Sequence, residues 1–369
     1  MSFEKPVIVI DNGSYNIKAG FSCDNHPVSI FRNVVGRPIY LNGGYGREYY
    51  DVYIGDDTIC NAEDLDLSRP VINGQIANWD NMERVWHHIF YQELKAAPED
   101  RAVLLTCSPM SPISEKIKCC EVFFETLNSP DLCIRPQCVL ALYGSGVTTG
   151  ICVDVGHDNT NINPIYEGGV ISYAHMQTHI GGKQISNFIE KHLQERNLNL
   201  GIQEIDVVEE IKRDCLYRSF NSSMHQDDVC EDYLLPDGTK INIGEETLLL
   251  GEIFFQPELI NIEQHYCLPL HEAITTSVLK CDPDLTSELY DAVTLCGGSS
   301  MVPGFGTRLA AEIEKVIDSS ITLLSSLEGY AMVWLGGAVF ASLPESKHVW
   351  ISKSSYEDHG ENIVRKKIL

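Results

Sequence analysis

Two short stretches carry residue types whose spacing could do chemistry. In "VIVIDNGSYNIKAGF" (7–21) an apolar run ends in Asp11-Asn12-Gly13-Ser14, with Tyr15 and Lys18 following. In "GICVDVGHDNTNINPIY" (150–166) another apolar run ends in Asp154-Val155-Gly156-His157-Asp158, and Asn161 follows. Each reads as a strand, a tight turn opened by a carboxylate, and a second strand. Consecutive backbone N–H groups in such a turn form a concave anion site. Gly13 and Gly156 would let the backbone approach a phosphate closely. Ser14 offers a hydroxyl donor, and Lys18 a point positive charge. Asp11 and Asp154 would repel phosphate unless a cation lay between, and magnesium suits that place because carboxylates can hold the waters it retains. The competing reading is two ordinary hairpins, since Asp-Gly turns are common, with Lys18 as an exposed strand lysine.

A third stretch, "TLCGGSSMVPGF" (294–305), places Gly297 and Gly298 between an apolar strand and the helical pattern "GTRLAAEIEKV". A strand-Gly-Gly-helix junction lets a flat base or a ribose lie against the backbone.

These stretches need elements to hold them. "PVIVIDNG" reads as a buried strand. "ISNFIEKHLQER" has Ile185, Phe188, Ile189 and Leu193 on one helical face, and "WDNMERVWHHIFYQEL" reads as one amphipathic helix. "YLLPDGTKINIG" carries Pro236-Asp237-Gly238 between apolar runs, a hairpin signal. The mixture predicts an α/β architecture. No low-complexity or Pro-rich linker divides the chain.

At 369 residues, about two domains are expected. A formal charge of -25 argues against nucleic acid and anionic membrane as partners, and for basic protein surfaces. None of the thirteen cysteines falls in a C-x-x-C pair, which excludes a zinc spacing or a compact disulfide framework. They read as small core or surface residues. With no apolar leader and no membrane-length run, the expected location is cytoplasmic, with reduced thiols.

"DNGSYNIKAGF", "NWDNMERVWHHIFYQEL", "LALYGSGVTTGICVDVG", "PIYEGG", "KCD" from Lys280, "GGSSMVPGF", "MVWLGGAVFASL" and the ending "WISKSSYEDHGENIVRKKIL" together resemble the actin family, over essentially the full chain. The resemblance implies the actin-like ATPase fold: duplicated RNase H-like lobes around a nucleotide cleft, in four subdomains. It implies a large lobe of 1–32, 70–144 and 332–369 with a small subdomain 33–69, and a second large lobe of 145–180 and 264–331 with a small subdomain 181–263. It implies ATP or ADP with magnesium or calcium. Asp11, Gln137 and Asp154 would hold the cation's waters, and Gln137 would help place the attacking water. Gly13, Ser14, Lys18, Gly156 and Asp158 would line the phosphates. Gly182, Lys212, Gly297, Gly298, Ser299 and Met301 would lie near ribose and base.

The same resemblance places a mobile subunit-gripping loop at 39–51. It places a partner cleft at Tyr143, Gly146, Thr148, Gly168, Leu335, Val339, Phe340 and Leu343. Filaments, with itself or with conventional actin, and helix-bearing actin-binding proteins would be the partners, in the cytoskeleton.

The chain departs from the family around the ligand. Tyr15 replaces a glycine and would crowd a phosphate. His157 and Asp158 alter the second loop. Asn161 stands in the slot of a histidine and cannot relay a proton by titration. Asn73 replaces another histidine, Arg213 a ribose-binding glutamate and Gly329 a lysine. Weakened hydrolysis is therefore expected. The alternative is a non-hydrolysing, nucleotide-braced subunit of a larger complex. The near-neutral start "MSFEKP" and Gly169 argue against myosin binding.

Overall fold

The computed structural model describes residues 5–39, 52–59, 62–195, 207–213, 231–234, 240–243, 250–260, 267–302 and 304–368. The chain divides into two compact units. One comprises Met1–Thr148, Gly168–Val170 and Ala331–Leu369, the other Thr149–Glu167 and Ile171–Tyr330.

In the first unit, β1 (Ile8–Asn12) pairs antiparallel with β2 (Asn16–Phe21), which pairs antiparallel with β3 (Ser29–Arg32). On its other side β1 runs parallel to Val103–Cys107, which runs parallel to Asp131–Pro136. Every residue of β1 is buried. This is why its sequence is an unbroken apolar run rather than an alternation: both faces of the strand are covered. Ile8 and Ile10 join the core of Met82, Trp86, Phe90 and Phe123. Val9 faces the other way. Its carbonyl accepts from Trp334 Nε1 at 3.1 Å, in the helix Met332–Ser342. That helix packs on Gln137–Gly144 so closely that a Cβ on Gly336 would overlap the Leu140 carbonyl.

A smaller sheet joins β4 (Val35–Pro38) to β5 (Tyr53–Ile54) and to β6 (Leu65–Ser68), antiparallel in both cases. Of the expected mobile loop, residues 40–51 lie outside the described residues.

Asn78 caps α1 (Trp79–His88), its side chain accepting from Asn81 N at 3.0 Å. The periodic stretch read as one helix does not stay α-helical. After His88 it widens into a π-turn over Ile89–Glu93, closed by Leu94 N to Ile89 O at 2.8 Å. The wider turn keeps both Ile89 and Phe90 fully buried.

The second unit repeats the strand plan. Gly150–Val155 pairs antiparallel with Thr160–Tyr166 and parallel with Val293–Cys296, which runs parallel to Leu323–Ser325. Its core gathers Ile151, Val153, Ile162, Phe254, Phe305 and Leu309. The helix Gly182–Glu195 buries Ile185, Ile189 and Leu193 as its periodicity predicts, while Phe188 is half-buried against His192. Glu231–Leu234 and Lys240–Ile243 form the predicted hairpin, whose turn lies outside the described residues. Among the described residues, no helix is long and apolar enough to cross a membrane.

Candidate functional site

In the first unit, the residues expected around the first turn gather on Asp11, which is 3% exposed. Its Oδ1 accepts from Thr106 Oγ1 at 3.0 Å and from Gln137 Nε2 at 3.3 Å. Its Oδ2 accepts from Lys18 Nζ at 2.9 Å. Lys18 was expected as a phosphate donor. Its contact with Asp11 follows from the register: the two residues are opposite one another in the β1–β2 ladder, on one face. Thr106 Oγ1 also accepts from Asn12 N at 2.9 Å, so one hydroxyl ties the parallel strand to both residues of the turn.

The turn itself is braced from outside. Asn33 Nδ2 donates to Gly13 O at 2.9 Å, and Asn33 N to Tyr15 O at 2.7 Å. A Cβ on Gly13 would run into the Asn16 carbonyl, so this position requires glycine. The Tyr15 ring, expected to crowd a phosphate, stands over the Arg69 guanidinium, 4.7 Å from its carbon. Arg69 Nη1 also donates to Ser14 O at 3.3 Å.

The second turn is held within the second unit. Gly156 N donates to Asn159 O at 3.1 Å and closes the loop over His157 and Asp158. Gly182 N donates to Gly156 O at 2.9 Å, and Lys183 N to His157 O at 2.8 Å. The start of the helix Gly182–Glu195 is therefore stitched to this loop. Asp158 is buried, at 9% exposure. Asn161 lies opposite Asp154 in the ladder, and its Nδ2 donates to Asn159 Oδ1 at 3.0 Å.

The Gly-Gly junction packs on the same loop. Ser299 Oγ donates to Gly156 O at 3.0 Å. Gly297 has φ 92°, and a Cβ there would meet the Val155 carbonyl and lie 2.6 Å from Asp154 Oδ1. Gly298 differs: a Cβ on it would meet nothing within 4 Å. A Cβ on Gly182 would lie 2.9 Å from Ser299 Oγ, 3.4 Å from Lys212 Nζ and 3.6 Å from His157 Nδ1, so four expected residues do converge. Lys212 is tied to Glu209 at 2.7 Å and to Ser186 Oγ at 3.0 Å. Arg213 is exposed. Met301 lies beside Gly329, whose carbonyl accepts from Gly297 N at 3.1 Å.

Two other expected residues read structurally. Asn73 and Gly74 have φ 52° and 76° and turn a hairpin between Val71–Ile72 and Gln75–Ile76, as Asn-Gly pairs do. Phe340 is buried under Tyr143, with ring centroids 5.2 Å apart, and under Arg135. At the proposed partner cleft Val339 is exposed, and Leu335 and Leu343 are half-buried.

Sequence reasoning missed Thr106, Asn33, Arg69 and Asn159. A signal existed for Thr106, which sits near the C-terminal end of a parallel strand, where open α/β sheets place ligand contacts. The others reach the turns from distant sequence or lie inside them without a motif.

The donors fit a phosphate ester with a hard divalent cation. They are carboxylate and amide oxygens, backbone turns that tolerate no side chain at Gly13 or Gly297, and ammonium groups at the margin. Among the described residues, no cluster of three or more His, Cys, Asp or Glu could hold a metal directly. The repeated strand plan, with an aspartate at the end of the first strand of each unit, is matched by one family model, described as Actin, over residues 2–369. That match spans essentially the entire chain, and the protein belongs to the actin family.

Proposed function

We propose that the chain binds ATP or ADP with magnesium or calcium at the two turns and assembles into, or together with, actin-type filaments, with weakened hydrolysis. The observation that carries this reading is the buried Asp11, held by Lys18, Thr106 and Gln137 beside a turn that only glycine permits. A bound cation supplies charge neutralisation for the phosphates. Asp11, Gln137 and Asp154 would hold it through its waters. Gly13, Ser14, Tyr15, Lys18, Gly156, His157 and Asp158 would line the phosphates, and Gly182, Lys212, Arg213, Gly297, Gly298, Ser299 and Met301 the ribose and base.

The proposed division is a large lobe with subdomain 33–69 and a second with subdomain 181–263. Val339, Leu335 and Leu343 form the proposed surface for a partner helix. Nucleotide extraction from the purified protein tests the binding reading: recovery of ATP or ADP supports it, and an empty extract overturns it. Sedimentation with magnesium and salt, alone and mixed with actin, tests assembly. Protein that stays in the supernatant in every mixture overturns that part.

One observation favours a second reading, a nucleotide-braced subunit that does not hydrolyse. Asn161 spends an amide N–H on Asn159 and has no titratable proton to relay. Phosphate release approaching that of conventional actin on assembly would sink it.

A further inference from the structure

The dipeptide Asn-Gly occurs at 12–13, 42–43 and 73–74, and the pair at 42–43 lies outside the described residues. In this dipeptide the glycine nitrogen can attack the carboxamide carbon of the asparagine and close a succinimide ring. No Cβ shields that nitrogen, and glycine lets the backbone swing into the geometry of attack. In a folded chain the outcome depends on what holds the two residues, and the two described pairs are held differently. Asn12 is 9% exposed and ends β1. Its Oδ1 accepts from Trp86 Nε1 at 3.3 Å, and its N donates to Thr106 Oγ1 at 2.9 Å. Gly13 N, the atom that would attack, donates to Asp11 O at 3.1 Å. Both reacting groups are engaged at the end of a buried strand.

Asn73 is exposed, at the tip of a hairpin whose strands, Val71–Ile72 and Gln75–Ile76, are two residues each. So short a hairpin has little stability of its own, and such tips open at low free energy. Its base is anchored: Val71 is buried, Ile76 N donates to Glu115 Oε2 at 3.2 Å, and Ala77 N to Pro70 O at 2.8 Å. The tip can therefore open while the core stays closed. We propose that Asn73-Gly74 is a covalent modification site, a spontaneous deamidation that consumes only water. Gly74 N bonds to Asn73 Cγ, the Cγ–Nδ2 bond breaks, and ammonia leaves with the proton of Gly74 N. Water then opens the succinimide. Addition at Cγ breaks the new bond and leaves aspartate. Addition at the backbone carbonyl carbon breaks the original peptide bond and leaves isoaspartate, with the chain running through the former side chain. Either product adds a negative charge. Isoaspartate also lengthens the backbone of a two-residue turn, so Ile72 and Gln75 lose their register. A small cavity beneath the hairpin is lined by Gly74 and Ile76 together with Asn12, Thr106 and Glu115. Thr106 is the residue that holds Asp11, so the modified hairpin loosens the cover behind the first turn.

The test ages the full-length protein in warm, mildly alkaline buffer and maps its peptides by mass spectrometry. Enzymatic carboxyl methylation, with S-adenosylmethionine as methyl donor, counts isoaspartate. The peptide spanning 73–74 is expected to gain the mass difference between amide and acid and to split into two isomers. The pair at 12–13 should convert at least about 100-fold more slowly, because reaching it takes an opening close to global unfolding. The aged wild type should melt below the fresh protein, whereas aged Asn73→Gln, whose longer side chain disfavours the ring closure, should melt where it began. A 73–74 peptide that stays intact in the folded protein while it converts in the unfolded chain overturns the assignment. So does equal conversion at 12–13 and 73–74. Conversion with no change in melting overturns the loosened cover and leaves the modification site standing. Should Asn73→Gln fail to fold, the wild-type peptides and the wild-type melts decide both points.

Discussion

The Tyr15 ring lies over the Arg69 guanidinium at 4.7 Å, and Arg69 Nη1 reaches the Ser14 carbonyl at 3.3 Å. The bulky residue in the first turn is thus tied to the chain just beyond β6. A cation–π contact of this kind contributes about 0.5–2 kcal/mol, depending on its desolvation. Tyr15→Phe keeps the ring and is expected to hold wild-type stability. Tyr15→Leu and Arg69→Met should each lose about 1 kcal/mol. Denaturant unfolding of the singles and the double gives the coupling, and fully additive losses would show that the ring and the guanidinium do not interact.

Lys18→Met tests the pairing with Asp11. The lysine side chain is 14% exposed and the aspartate 4%. Removing one partner strands a buried carboxylate, a change that costs about 3–5 kcal/mol in well-buried pairs. Partial exposure of Lys18 should bring the loss toward the lower end. A thermal melt indistinguishable from wild type would refute the structural role of this pair.

Gly297→Ala is expected to destabilise more than Gly298→Ala. The first position has φ 92° and a Cβ there would run into Val155 and Asp154, whereas the second opens on free space. Strain at such a φ costs about 1–3 kcal/mol. Equal midpoints for the two variants would contradict the geometry.

His175 carries a pH dependence. Burial, and then the nearby Lys280, lower its pKa below the ordinary 6.5. The folded state therefore resists protonation while the unfolded chain accepts a proton. Stability from this group is complete above about pH 6.5 and is lost as pH falls from there toward the depressed folded value. The melting temperature should drop on acidification from pH 7.5 to 5.5, and less steeply in His175→Gln. Parallel profiles for the two proteins would exclude His175 as a source.

Thiol labelling should separate surface from core. Burial pushes the thiols of Cys120 and Cys133 up to about 12, and that of Cys119 well above its ordinary value, whereas Cys23 is exposed. Mapped modification at neutral pH is expected at Cys23, with the other three protected until the protein unfolds. Rapid labelling of Cys133 in the folded protein would contradict its burial.

The sequence alone determined the strand-turn-strand echo, the α/β class, the helical face of Ile185, Ile189 and Leu193, and the family. These are local matters: an apolar run, a periodicity or a glycine beside a carboxylate is written in neighbouring residues. It also singled out Asp11 and Gly297 through the turn motifs, and Gln137 through the family resemblance. Tertiary structure decided who touches whom. Thr106 reaches Asp11 because parallel strands set the register, Arg69 reaches Tyr15 across 54 positions of unrelated chain, and Asn159 became an orphan donor only when its own carbonyl closed the turn on Gly156. The Tyr15 ring meets the Arg69 guanidinium, a partner that no spacing rule could supply. Side-chain pairing depends on where packing brings distant backbones, and that is settled by the whole core rather than by any one stretch.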